Sequence, residues 1–173
     1  MTGLLPKIKV SDVPENRAKR VKGLAIVGKV ETREVSNGYL QVAVPLLFSE
    51  EATEEVLASL VPAAVDAVEN GNFEQFTRDN NLRIFTARWN VRPEWFDGGY
   101  TDLIRSGQVS DNERIQYNIN MSGLTRGLSK SAGLDEVDFE ALTGRVVGFT
   151  TRNRKDNPSR LDIGGFYTPR KKK

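Results

Sequence analysis

The chain has 173 residues, 38% apolar and 28% charged, with a net charge of +2. That balance suits one globular domain whose core needs no covalent staples. It contains no cysteine and no histidine, which excludes disulfides, thiolate or imidazole metal sites and histidine-assisted nucleophiles.

No stretch approaches the roughly 18 apolar residues of a membrane span. The opening "MTGLLPKIKV" is too short and too basic for a signal peptide. A cytoplasmic protein is the expectation. Charge is unevenly spread. Residues 1–33 carry eight Lys/Arg against three acids, residues 48–82 eight acids against one Arg, and residues 144–173 nine Lys/Arg against two Asp. Such asymmetry points to separate surfaces with separate partners.

Residues 1–22 are polar and basic without a clear period, and read as an extended arm. Residues 24–35 alternate at period two, a strand signal. Asn37-Gly38 then marks a hairpin, because a type I′ turn needs positive φ at both central positions. "YLQVAVPLL" resumes the alternation, and Pro45 predicts a strand end or an edge. Ser49, with Glu50 and Glu51 behind it, predicts a helix start. Val56, Leu57, Leu60, Val61, Ala64, Val65 and Val68 form its apolar stripe. Pro62 predicts a kink or two short helices, and Asn70-Gly71 a stop.

"NFEQFTRDNN" reads as a short helix or loop. "LRIFTARWNV" is a third strand, with Phe85, Trp89 and Val91 on one face, running into the aromatic, turn-rich "RPEWFDGGY". Ser110 and Asp111 open a helix whose face carries Tyr117, Met121, Leu124 and Leu128, ending at Gly133. "DEVDFEALTG" is a short helix stopped by Gly144. A closing hairpin follows, residues 145–152 and 160–167, turning at 156–159. Hairpins at both ends without a βαβ rhythm predict a mainly β or α+β chain: an antiparallel OB-like barrel of about five strands with helical insertions. A plain α+β sheet is the alternative. The expected organisation is a basic arm over 1–22, one domain over 23–168, and a basic tail over 169–173.

The glycine-rich stretches match no phosphate-loop pattern. Glu50, Glu51, Glu54 and Glu55 share one helix turn and do not converge as Mg²⁺ or Ca²⁺ ligands must. Asp97, Asp102 and Asp111 leave a carboxylate enzyme as a minor reading. No catalytic residue, metal or cofactor is assigned. Binding signals are stronger. A single-strand groove needs positive charge along its length and aromatic faces for bases. The middle segment supplies Trp89, Trp95, Phe96 and Tyr100 beside Arg83, Arg88 and Arg92. The closing hairpin supplies Arg145, Phe149, Arg152, Arg154, Lys155, Arg160, Phe166 and Tyr167. In each segment the ordinary alternative is an aromatic core under a charged turn.

"KGLAIVGKVETREVSNGYLQVAVPL" and "LTGRVVGFTTRNRKDNPSRLDIGGFYTP" together resemble phage-encoded single-stranded DNA-binding proteins of OB fold. The likeness covers about a third of the chain. It implies DNA binding in phage replication or recombination, inside the host cytoplasm. On this reading Arg83, Arg88, Arg145, Arg152, Arg154, Lys155 and Arg160 neutralise phosphates, while Trp89, Trp95, Phe149 and Tyr167 stack on bases. Arg17, Lys19, Arg20 and Lys22 extend the groove. RNA is not separated from DNA by these signals. Many such proteins end in acids, whereas this chain ends in Lys171, Lys172 and Lys173. A homo-oligomer and a protein partner at the acidic helix around Glu50–Glu55 are further expectations. The competing class is a structural or assembly protein, such as a virion component, whose basic ends and acidic helix join subunits.

Overall fold

The computed structural model describes residues 5–12 and 18–169. Arg17, Arg170 and the three terminal lysines lie outside the described residues. Six antiparallel strands form one sheet: β1 (Lys22–Val27), β2 (Glu31–Glu34), β3 (Leu40–Phe48), β4 (Arg83–Val91), β5 (Val146–Asn153) and β6 (Leu161–Tyr167). β3 is flanked by β4 on one side and by β2 and β1, end to end, on the other; β5 joins β1, and β6 joins β5. Among the described residues there are five α-helices, α1 (Glu54–Glu69), α2 (Phe73–Asp79), α3 (Tyr100–Arg105), α4 (Asp111–Ser122) and α5 (Phe139–Leu142), and two short 3-10 helices, Val10–Asp12 and Pro93–Phe96. A π-helical stretch, Gly123–Ser129, continues α4. No helix of the described residues is long and apolar enough to cross a membrane.

The Asn37-Gly38 hairpin forms as its sequence requires, with φ of 61° and 77° and Tyr39 N–H donating to Ser36 O. The strand expected over 24–35 is instead two. The break falls at Gly28, where a side chain would meet Phe73 at 2.7 Å and Pro45 at 3.0 Å. This break explains Pro45, which lies inside a strand paired on both sides rather than at an edge. Its carbonyl accepts from Gly28 N–H, so its missing N–H faces the gap between β1 and β2. No ladder bond is lost there.

α1 runs unbroken through Pro62. Leu57, Ala64 and Ala67 are buried along one side, and this packing outweighs the hydrogen bond that proline removes. The cap is Thr53, not Ser49: Thr53 Oγ1 accepts from Val56 N–H at 3.3 Å, while Ser49 Oγ accepts from Glu51 N–H in the preceding turn. Thr53→Ala should therefore lower stability by about 1 kcal/mol, whereas Ser49→Ala should change it little; urea unfolding of both variants checks the assignment. The Ser110 cap forms as expected, accepting from Glu113 N–H.

Period-two alternation divides the strands between two cores. Val27, Val44, Leu46, Ala87, Val147 and Phe149 face the concave side, covered by Met121, Leu124 and Leu128 of the α4–π rod. Ile26 and Leu47 face the convex side, covered by Leu57 and Ala64 of α1. The mixed α+β expectation holds, but the sheet is not closed into a barrel. Its end strands, β4 and β6, face each other without pairing. The π-helical stretch bears on both: a side chain at Gly123 would meet Trp89 of β4 at 2.6 Å, and one at Gly127 would meet Phe166 of β6 at 3.0 Å. A helix wedged against both edges holds them apart.

Candidate nucleic-acid interface

The unpaired edges of β4 and β6 border a groove of about 650 Å³. Phe85, Trp89 and Phe166 supply its aromatic surface, with Trp89 and Phe166 rings 6.1 Å apart. Ile119 of α4, 62% exposed, lines the helical wall, where Gly123 and Gly127 allow the helix to approach closely. Arg88, Arg152, Arg154 and Arg160 bring positive charge, and Asp162 one negative charge.

Residues 18–21 of the basic N-terminal segment meet the β5–β6 turn at one end of this groove. Ala18 N–H donates to Pro158 O at 2.9 Å, and Asn153 Nδ2 donates to Ala18 O at 2.7 Å. Arg20 Nε donates to Asn153 Oδ1 at 2.8 Å. Val21 N–H donates to Thr151 Oγ1, and Thr151 N–H donates to Val21 O. Lys19, Arg20 and Lys22 are thereby brought alongside the closing hairpin.

The expected cations are not equivalent. Arg88, Arg152 and Arg160 are exposed and form no ion pair with a described residue. Arg154 is committed: its guanidinium donates to both oxygens of Asp156 at 3.0 and 2.9 Å and lies 4.0 Å from Asp162. That hydrogen bonding holds the Asp156 carboxyl below its ordinary pKa and Arg154 above its own. Lys155 is exposed in the turn without lining the groove. Arg83 lies outside it, 5.4 Å over the Phe48 ring and 3.5 Å from Glu50. Lys19 reaches the same carboxylate at 3.5 Å. Arg145 is also outside, donating from Nε to Ala141 O.

Among the aromatic candidates Trp89 and Phe166 line the groove; Phe166 is half-buried, whereas Trp89 is itself buried, 7% exposed, and backs the groove. Phe149 is fully buried, with Phe48 and Phe85 rings at 5.2 and 6.2 Å. Its place between two rings inside the concave core removes it as a stacking face. Trp95 is buried too, against Tyr39, Tyr100 and Tyr117. Arg92 completes that cluster, its guanidinium 4.4 Å over Tyr39 and 3.3 Å from Glu113, tying the hairpin turn to α4. Burial pushes the Tyr100 hydroxyl pKa up. The cluster therefore positions the groove's helical wall, and its Trp95 and Tyr100 rings are closed to a ligand. Tyr167 is half-buried outside the groove, with its ring against Gly148 and Lys22 Nζ 5.6 Å from its centre.

Phe85 and Ile119 were absent from the expected contacts, and Phe166, named among the hairpin's aromatics, had no assigned role. Phe85 was legible as Trp89's partner at period two. Nothing local marks Ile119, which the α4 register delivers to the rim. Comparison with protein-family models, characterised proteins and solved structures gave no match for this chain.

Proposed function

We propose that this chain binds single-stranded nucleic acid, and DNA in the first instance, in the groove between β4 and β6. The observation that carries the reading is the joint presence there of three arginines with no ion pair among the described residues and two half-buried rings, Phe85 and Phe166, beside the buried Trp89. A sequence-tolerant single-strand site needs that combination: cations that follow the phosphates and ring faces for bases. The revised contact set is Arg88, Arg152 and Arg160 for phosphates, with Phe85 and Phe166 for bases and the buried Trp89 supporting them.

The strand connectivity supports an OB-like reading. β1 and β2 act as one interrupted strand paired with both β3 and β5, and the helical insertion lies between β4 and β5. An OB barrel is commonly left partly open, and oligonucleotides bind across one of its faces. On this reading the β4–β6 gap is the open seam. The role in phage replication or recombination belongs to the same proposal and rests on the resemblance of the two terminal segments.

Fluorescence anisotropy with a labelled single strand and a duplex of equal length tests the reading. The single strand should bind more tightly, with affinity falling linearly in log salt. Equal affinity for the duplex, or indifference to salt, would sink it. A second expectation concerns Glu50, which holds Lys19 and Arg83. Glu50→Gln should raise single-strand affinity a few-fold at low salt, because it removes a negative charge and frees two cations beside the site. Unchanged affinity would place both cations outside the bound strand's path.

A further inference from the structure

The described part of the N-terminal arm, residues 5–12, carries three large apolar side chains left almost bare. Leu5 is 90% exposed, Ile8 70% and Val10 90%. Lys7 and Lys9 alternate with them. An apolar and basic segment with no cover of its own is matched by a surface elsewhere on the domain. A groove of about 460 Å³ beside α5 is floored by Phe139, Val30 and Val68 and rimmed by Glu69 and Glu140, with Lys29 as its one basic lining residue. Phe96, 43% exposed, stands edge-on to Phe139 at 6.0 Å and enlarges the apolar surface. Asp97, Asp135, Glu136 and Asp138 add negative charge in the adjoining sequence. The groove can take two or three aliphatic side chains, and its rim has the opposite sign to the arm.

We propose that residues 5–12 of one copy dock in the Phe139 groove of a second copy, with Leu5, Ile8 and Val10 on its apolar floor and Lys7 and Lys9 toward Glu69 and Glu140. The arm does not occupy the groove of its own chain, since Leu5, Ile8 and Val10 are bare there, and a second copy supplies a cover for both. The arm departs from Ala18, which is bonded at the β5–β6 turn, at the far end of β5. The groove lies at the near end, where Thr143 precedes β5. The eight residues of β5 separate the two ends by about 26 Å at roughly 3.3 Å per residue. A donor at one end and an acceptor at the other make a head-to-tail contact, which adds copies in a row rather than closing a symmetric pair. The inference does not depend on the nucleic-acid reading.

Its test is light-scattering mass of the full chain without nucleic acid, across concentration and salt. The mass should exceed the 19.3 kDa of one chain, rise with concentration at low salt, and fall back as salt screens the contact. Lys7→Glu with Lys9→Glu should abolish the rise, as should Glu69→Lys with Glu140→Lys. All four positions are exposed, so circular dichroism should show both double variants folded. An equimolar mixture of the two double variants should associate again, because each arm then meets a groove of opposite sign. A single-chain mass at every concentration overturns the proposal, including the case of an arm docked on its own chain. Association that survives both charge reversals, or a mixture that stays monomeric, overturns it equally.

Discussion

Replacing Arg88, Arg152 and Arg160 together by alanine should lower single-strand affinity about 100-fold near 0.1 M salt and flatten the log–log salt slope by about 2, since each phosphate contact on a single strand contributes roughly 0.7 to that slope. These residues lie on β4, on β5 and in the turn just before β6, and all line one groove. None is held by a carboxylate among the described residues, so their charge is free to meet phosphate. Arg154→Ala serves as the internal comparison. Arg154 is already held by Asp156 and Asp162, and its removal should cost much less. Anisotropy titrations at several salt concentrations read both effects. A triple variant with unchanged slope would show that phosphates do not pass through this groove.

Phe149→Ala should destabilise the domain by about 3–5 kcal/mol, the usual cost of emptying a large ring from a packed core. The ring is fully buried between Phe48 and Phe85. Urea unfolding measures the loss. The variant also separates two roles that the sequence left open. A stacking platform would lose affinity while keeping its stability, because base stacking on an exposed ring adds nothing to the folded state without ligand. A core ring loses stability first. Near-normal unfolding with weakened binding would return Phe149 to the interface and contradict its burial.

The Phe149 result illustrates a wider limit on reading strands. Period-two alternation correctly placed Val147, Phe149 and Thr151 on one face, while Arg145 falls just before the strand. It did not say whether that face met solvent or helix. The face is concave, and the α4–π rod covers it, so the aromatic at its centre is core. For Trp95, local density of aromatics suggested a binding surface, yet three tyrosines and Arg92 enclose it. Pro45 failed as an edge marker for a different reason. Proline excludes a strand neighbour only where its missing N–H would have been used, and here that side faces the break at Gly28.

Local chemistry alone determined the Asn37-Gly38 turn, the helix stops at Gly71, Gly133 and Gly144, and the Ser110 cap, because positive φ and orphan N–H groups are satisfied within a few residues. It also determined that the two ends are basic and that histidine and cysteine chemistry is absent. Tertiary structure decided which charges are available. Glu50 takes up Lys19 and Arg83, Asp156 takes up Arg154, and of the groove's arginines Arg88, Arg152 and Arg160 have no ion pair among the described residues. It also joined the basic N-terminal segment to the closing hairpin, more than 130 residues away, through Ala18, Arg20 and Asn153. The open seam was equally beyond the strand pattern. It depends on Gly123 and Gly127 bringing one helix against two strand edges, a contact between distant segments that no local periodicity records.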